Sequence, residues 1–84
     1  MQIEILTPNG KTFSGDAIGV QLPGLTGSFE VLNNHAPMVS ALKAGKLKVL
    51  IDQRQNKFFQ IEGGFVEVLN NKVTVLVEAG KLID

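Results

Sequence analysis

The sequence predicts an all-β domain, folded as a two-sheet β-sandwich or flattened barrel of about ten short strands. Short apolar segments alternate with polar residues at a period of two, as Val73, Val75 and Val77 do. Nine glycines, with prolines and asparagines, separate these segments at short intervals. No segment keeps the 3.6-residue periodicity of an amphipathic helix. The apolar fraction of 44% is that of a globular chain rather than a disordered one.

The first half of the chain contains five predicted extended segments. Ile3 and Ile5 alternate with polar residues and indicate a first strand. The sequence TPNG that follows predicts a tight turn, because proline fixes φ and Asn-Gly tolerates positive φ. Residues 38–42 could instead form a helical turn capped by Asn34, but the run is short, and we predict an extended segment. The other predicted strands are 11–14, 17–22 and 28–32, with a loop bracketed by Pro23-Gly24 and Gly27.

The second half shows clearer alternation. Strands are predicted over 46–51, 58–62, 65–69 and 73–77. Residues 52–56 form a polar hairpin connection, Gly63-Gly64 permits a sharp bend or a bulge, and Asn70-Asn71 is a two-residue hairpin turn. The pattern then disappears, so we expect 79–84 to be a loop or a frayed end of a single domain over 1–84.

Charge and composition exclude several classes of function. The chain has 8 basic and 8 acidic residues and no cysteine. Nucleic acid and anionic membranes are disfavoured as direct partners, because both require a concentrated positive face. The N-terminus has no signal-peptide pattern, and no apolar run approaches the roughly 20 residues of a membrane helix. We therefore expect no direct membrane insertion.

The search for reactive groups predicts no catalytic, cofactor or metal site. His35 is the only histidine, and no spacing brings an acid and a nucleophile to it, so a turn or contact role is favoured over a general base. One histidine without cysteine cannot supply an ordinary zinc site. The glycine-containing segment 22–28 lacks both the Gly-Lys-Ser/Thr ending and the following helix of a phosphate loop.

Some apolar residues lie on the outward faces of predicted strands. Phe58 and Phe59 are adjacent, so only one of them can point into the core, whereas the other phenylalanines are interpreted as core residues. Leu50, Leu69 and Leu76 alternate with the inward Val/Ile set. Strands that are apolar on both faces indicate a protein interface.

These segments together resemble a known family. Residues 22–24 (LPG), 27–45 (GSFEVLNNHAPMVSALKAG), 63–68 (GGFVEV) and 71–76 (NKVTVL) are similar, in order and spacing, to the signature of the epsilon subunit of the F-type ATP synthase, called delta in mitochondria. The segment from Pro8 to Gly15 also resembles the second strand of that subunit. The resemblance covers nearly the whole chain.

The resemblance implies a sandwich of two five-stranded sheets that binds the gamma subunit along one face and the c-ring at one end. The chain would be a non-catalytic rotor subunit that couples proton translocation to ATP synthesis, on the cytoplasmic face of the bacterial plasma membrane. The residues implied for the c-ring, all expected at that one end, are Gly24, Leu25, Thr26, Gly27, Ser28, Asn33, Asn34, His35, Ala36 and Pro37. The candidates for gamma are Phe58, Leu50, Leu69 and Leu76.

Two departures from the family limit this reading. Ser28 stands where members often have an acidic residue, and Glu30 is shifted by two, so no particular charge contact with the ring is carried over. The 84 residues do not include the helical hairpin that follows the sandwich in many members. If the chain is naturally short, we expect no inhibition by such a hairpin, and we predict no bound nucleotide. Whether the chain is naturally short or cut from a longer protein stays open. The alternative function is a stand-alone small β-barrel module that binds a ligand or an oligonucleotide, which requires a basic or concave aromatic face.

Overall fold

The computed structural model describes residues 1–83, which form eight strands and no helix. The chain is therefore all-β, as the alternation predicts. The strands are β1 (Gln2–Thr7), β2 (Gly10–Asp16), β3 (Gly19–Gly24), β4 (Gly27–Leu32), β5 (Met38–Leu42), β6 (Gly45–Leu50), β7 (Asn56–Leu69) and β8 (Lys72–Leu82).

The strands pair into two layers of five strand segments each. The first layer has the order β2-β1-β8-β7-β5 and uses the first half of β8 and the second half of β7. The second layer has the order β4-β3-β6-β7-β8 and uses the opposite halves of β7 and β8. All neighbouring pairs are antiparallel except β1 with β8. This arrangement is the predicted two-sheet sandwich.

The two long strands pass from one layer to the other, which explains the predicted count of about ten strands. β7 pairs with β6 up to Ile61 and with β5 from Gly64 onward. The change occurs at Gly63-Gly64, where the sequence predicts a bend. Because β7 and β8 each supply a segment to both layers, eight continuous strands provide ten segments.

The core lies between the layers and consists of the inward set of every alternating strand. Its largest fully buried side chains include Phe59, Ile3 and Leu47. Phe13 of β2 packs edge-on against Phe59 of β7, with ring centroids 5.6 Å apart, and so joins the two layers. Of the five phenylalanines, only Phe59 is buried, and Phe65 is 58% exposed. The prediction that Phe65 is a core residue is therefore wrong.

Most predicted turns occur where the sequence places them. Asn70 and Asn71 have φ values of 50° and 59° and close the β7–β8 hairpin. The Asp52 carboxylate accepts hydrogen bonds from the backbone N–H groups of Arg54 and Gln55, each at 2.8 Å, and orders the β6–β7 connection. Residues 38–42 form a strand, so the extended prediction is confirmed there.

Two boundaries differ from the prediction. Strand β3 continues through Pro23 and Gly24, which leaves only Leu25-Thr26 as the turn before β4. The expectation that the chain frays after Glu78 is also wrong for the described residues. β8 continues to Leu82, and the Ile83 N–H donates to the Phe58 carbonyl at 2.9 Å. Residues 79–83 are held by main-chain hydrogen bonds, which leave no alternation of side chains in the sequence. Asp84 lies outside the described residues.

Candidate functional site

The four residues predicted to contact gamma lie on two different surfaces. Leu69 and Leu76 are on the outer face of the first layer, where they are 49% and 51% exposed. Phe58 and Leu50 are on the outer face of the second layer, and both are only half-buried. The fold therefore does not bring the four together, and a single flat partner cannot cover all of them.

An apolar row crosses the outer face of the first layer. Leu6 of β1 lies beside Leu76 of β8, Leu76 lies beside Phe65 of β7, and Phe65 lies beside Ala41 of β5. The inward neighbours of these residues are core positions, so the row faces away from the core. Val39, at 70% exposed, extends the apolar surface along β5. Residues from β1, β5 and the β7–β8 hairpin thus build one apolar stripe, which we call the outer apolar row (Leu6, Leu76, Phe65 and Ala41).

A shallow groove of about 350 Å³ runs beside the outer apolar row. It lies between the β1–β2 turn, at Pro8, and the bend of β7, at Gly63-Gly64. A side chain at Gly64 would collide with the β8 backbone, with its Cβ 2.8 Å from the Val77 Cα. Glycine at this position therefore allows β7 and β8 to approach closely beside the groove, whose apolar lining by Leu6, Phe65 and Leu76 suits it to receive an apolar side chain from a partner.

An ion cluster flanks the outer apolar row on the same face. The Glu4 carboxylate lies 3.0 Å from the Lys11 ammonium and 3.4 Å from that of Lys72. The Lys11 hydrogen bond holds the pKa of Glu4 below its ordinary value against partial burial, and the charges of Lys11 and Lys72 add to this. Any stability from the cluster is present above the ordinary glutamate pKa and is lost as the pH falls through the lowered pKa of Glu4.

The outer face of the second layer has a different chemical character. Phe58 lies under two lysines, with the Lys46 ammonium 5.1 Å and the Lys48 ammonium 6.0 Å from the ring centroid. Lys81 and Gln60 continue this surface across β8 and β7. Two ammonium groups therefore lie near the Phe58 ring, so its surroundings on this face are basic rather than apolar.

The two turns implied for the c-ring lie at opposite ends of β4. Gly24 pairs with Gly27 across the β3–β4 turn, whereas Leu32, at the other end of β4, pairs with Gly19. A strand of six residues separates them, which is roughly 20 Å. The expectation that both turns share one end is therefore wrong, because the hairpin direction sends β4 away from the first turn. The two turns instead bracket one long side, since β4 is an edge strand.

The loop between β4 and β5, residues 33–37, is exposed and is held by hydrogen bonds. The Asn34 N–H donates to the Asn71 side-chain oxygen at 2.8 Å, and the main-chain nitrogen of Met1 donates to the Asn33 side-chain oxygen at 2.7 Å. The His35 N–H donates to the Leu32 carbonyl at 3.2 Å, and its ring Nδ1 lies 2.7 Å from the Ala36 carbonyl. Because a carbonyl only accepts, Nδ1 carries the hydrogen in this contact.

The polar and charged side chains of residues 1–83 lie at or near the surface. Over that range, no polar or charged side chain is buried, and no three histidine or acidic side chains cluster at metal-binding distance. The same residues include no helix long and apolar enough to cross a membrane. The arrangement can make contacts along the outer apolar row and along the β4 edge.

Sequence reasoning missed Phe65, Val39 and Leu6 as surface candidates. The signal for Phe65 was available, because it alternates with the buried Val66 and Val68. Leu6 and Val39 could not be recognised in the same way, because strand pairing alone places Leu6 beside Leu76 and Val39 diagonally across from Phe65. Those neighbours come from strands far away in the sequence.

Solved structures show the same fold. One chain in the cryo-EM structure of the Euglena gracilis mitochondrial ATP synthase, OSCP/F1/c-ring in rotational state 1, has a TM-score of 0.89 and 20% identity, with 98% of this chain and 54% of that chain covered. A chain in the Tetrahymena thermophila mitochondrial ATP synthase central stalk/c-ring structure has a TM-score of 0.81 and 20% identity, with 95% and 64% covered.

Sequence comparisons are more specific. The chain is 43% identical over 77 residues to the ATP synthase epsilon chain of Chlorobium limicola, with 92% of this chain and 88% of that protein covered. The corresponding chain of Chlorobaculum tepidum is 46% identical, with 90% and 86% covered. The Salinibacter ruber epsilon chain is 43% identical, with 93% and 58% covered, so the relatives differ in how far they extend beyond the match. The family model of the ATP synthase delta/epsilon chain beta-sandwich domain matches residues 1–82. The chain therefore belongs to the ATP synthase delta/epsilon chain family, and residues 1–82 form its β-sandwich domain.

Proposed function

We propose that this chain is a non-catalytic rotor subunit of an F-type ATP synthase. It links the gamma subunit to the c-ring and so couples proton translocation to ATP synthesis. Family membership supports the proposal, and one of the chains with the same fold belongs to a central stalk/c-ring structure. The observation that carries it is the outer apolar row, which gives a small domain an exposed contact surface.

We propose the outer face of the first layer as the gamma-binding surface. Phe65 and Leu76 are 58% and 51% exposed and lie side by side. Burial of such half-exposed side chains on a partner contributes roughly 1 kcal/mol each. The groove at Gly63-Gly64 offers a place for a partner side chain at the end of the same row. Of the predicted gamma contacts, Leu69 and Leu76 stay in this proposal, whereas Phe58 and Leu50 lie on the opposite face.

We propose the β4 edge as the ring-binding surface. All the residues predicted for the ring lie in the turns at its two ends or next to the first turn, at the end of β3 and the start of β4, and β4 itself joins the two turns. A partner lying along this edge contacts both turns at once, which a partner at either end of the strand cannot do. Ser28 and Glu30 are exposed along the edge and can reach polar groups of the ring. The chain thereby acts at the cytoplasmic face of a bacterial membrane through its partners.

In this proposal the chain performs no chemistry and needs no cofactor. The mechanical role requires only that two partners bind different surfaces of one rigid body. The outer apolar row and the β4 edge lie on different layers, and the strands β7 and β8 pass through both layers. Torque applied at one surface is thus transmitted through continuous main chain to the other. No nucleotide is expected to bind to residues 1–84.

Leu76→Ser tests the gamma surface. It should weaken binding to purified gamma by about 5- to 30-fold, because it removes an exposed apolar contact at the centre of the row. Its thermal stability should change little, since Leu76 is half exposed in the free chain. Phe58→Ser is the matched control and should leave gamma affinity within about twofold. Affinity is measured by isothermal titration calorimetry and stability by circular dichroism.

If Phe58→Ser weakened gamma binding and Leu76→Ser did not, the gamma-binding surface would instead be the outer face of the second layer. A wild-type chain that forms no complex with gamma would contradict the proposed function.

The alternative of an oligonucleotide-binding module is favoured by one observation. Phe58, Lys46 and Lys48 together form an aromatic and basic site. The site has a single aromatic ring, and Glu62 lies on the same strand face. Fluorescence anisotropy with a single-stranded oligonucleotide separates the readings, because tight, salt-dependent binding that Phe58→Ser abolishes would favour the module.

A further inference from the structure

We infer that Asn71, in the turn between β7 and β8, positions the β4–β5 loop for its contact with the ring. The Asn34 N–H donates to the Asn71 side-chain oxygen at 2.8 Å, although the two residues are 37 positions apart. The bond joins a hairpin turn of the first layer to the loop that leaves the edge of the second layer. This inference rests on the proposed function, because the ring contact of the loop is part of it.

The turn itself does not need the Asn71 side chain. Asn70 and Asn71 both have positive φ, as the two central residues of a type I′ hairpin turn do. Glycine is at least as well suited as asparagine to the second of these positions. The main-chain oxygen of Asn71 accepts from the Gln2 N–H at 3.2 Å, and any residue can provide that contact. The amide group of Asn71 is therefore available to act on the loop.

The loop depends on such contacts because packing does not hold it. Residues 33–37 are all exposed, and Asn34 has a φ of 63°, a conformation that costs free energy for a residue other than glycine. Without the bond from Asn71, the loop can sample other conformations. Binding of a partner to one of these conformations then includes the entropic cost of ordering the loop, which lowers the affinity. Asn71 thus sets how far His35 and its neighbours are ordered before the ring binds.

Three variants separate this role from the turn. Asn71→Gly keeps the turn conformation and removes the side-chain acceptor. Asn70→Gly changes the sequence of the turn and keeps the Asn71 acceptor. Asn71→Asp replaces the amide and retains an acceptor oxygen. NMR hydrogen exchange of the Asn34 amide is measured on each free chain. Binding to gamma, and of the gamma-bound chain to detergent-solubilised c-ring, is measured by biolayer interferometry.

We expect Asn71→Gly to accelerate exchange at Asn34 and to weaken ring binding about 3- to 10-fold, with gamma affinity unchanged. Asn70→Gly should match the wild type in all three measurements, and Asn71→Asp should restore slow exchange and ring binding. Equal ring binding by Asn71→Gly and wild type, or equal losses in both glycine variants, would overturn the inference. A wild-type chain that does not bind the ring contradicts the proposed function instead, and the Asn34 exchange still decides whether Asn71 orders the loop.

Discussion

At Gly64 the backbone of β7 lies directly against the backbone of β8. A Cβ atom there would lie 2.8 Å from the Val77 Cα and 2.9 Å from the Leu76 carbonyl carbon, and the Leu76 carbonyl oxygen would be closer still. These neighbours are main-chain atoms and cannot rotate away. The two layers meet at this bend, so a displacement at Gly64 affects the floor of the groove and the pairing on both sides of it.

We predict that Gly64→Ala lowers the free energy of unfolding by about 3 kcal/mol or more, because the added methyl group forces apart two paired backbones. Gly80→Ala is the control on β8. Its Cβ would meet no atom closer than 3.5 Å, so the change should stay within about 0.5 kcal/mol. Urea denaturation followed by circular dichroism measures both. Equal effects of the two substitutions would show that the close approach at Gly64 is not a constraint.

The strand β8 shows how an element can persist without a sequence pattern. Its first half alternates buried valines with exposed residues, whereas its second half, from Glu78 onward, is exposed apart from the half-buried Gly80. That half still pairs with β7, from Glu62 with Ala79 to Phe59 with Leu82. The Gly80 carbonyl also accepts a hydrogen bond from the Thr12 hydroxyl at 3.4 Å. Main-chain hydrogen bonds therefore hold the segment in place of side-chain burial.

A chain that ends at Glu78 should lose about 2–4 kcal/mol of stability, because several strand hydrogen bonds contribute roughly 1 kcal/mol each. Lys81→Ala is the control, since it removes an exposed side chain and keeps the main chain, and it should change stability by less than about 0.5 kcal/mol. Thermal and urea denaturation provide the measurement. A shortened chain as stable as the full one would mean that the segment frays, as the sequence alone predicts.

The whole molecule joins its first and last strands directly. Gln2 pairs with Lys72 and Leu6 with Leu76, in the one parallel pair of the described structure. Pairs so distant in sequence require a large part of the chain to be ordered before they form. The loss of loop-closure entropy then precedes the gain in contacts, which slows folding in proteins of this topology.

We therefore predict that the chain folds in milliseconds to seconds at 25 °C, the range of β-sandwich domains, rather than in microseconds. The chain has no tryptophan or tyrosine, so stopped-flow circular dichroism is the suitable measurement. A main refolding phase within the dead time of mixing, with the full native signal recovered, would show that local contacts control folding instead.

Local patterns in the sequence were sufficient to predict the all-β class, the inward set of each alternating strand, and turns such as Asn70-Asn71. These features are local, because a strand's side chains alternate over two residues and a turn's φ values depend on the residues within it. The resemblance in 27–45 and 63–76 also required only the order of residues along the chain.

Which outward residues form a common surface became known only from the folded structure. Leu76 and Phe58 look equivalent in the sequence, yet one joins the outer apolar row and the other lies under two lysines on the opposite face. The direction of β4 likewise separated two turns that the sequence could not place. The physical reason is the same in each case. Many neighbours on a sheet face come from strands distant in sequence, and which side chains become neighbours depends on the strand pairing and its register.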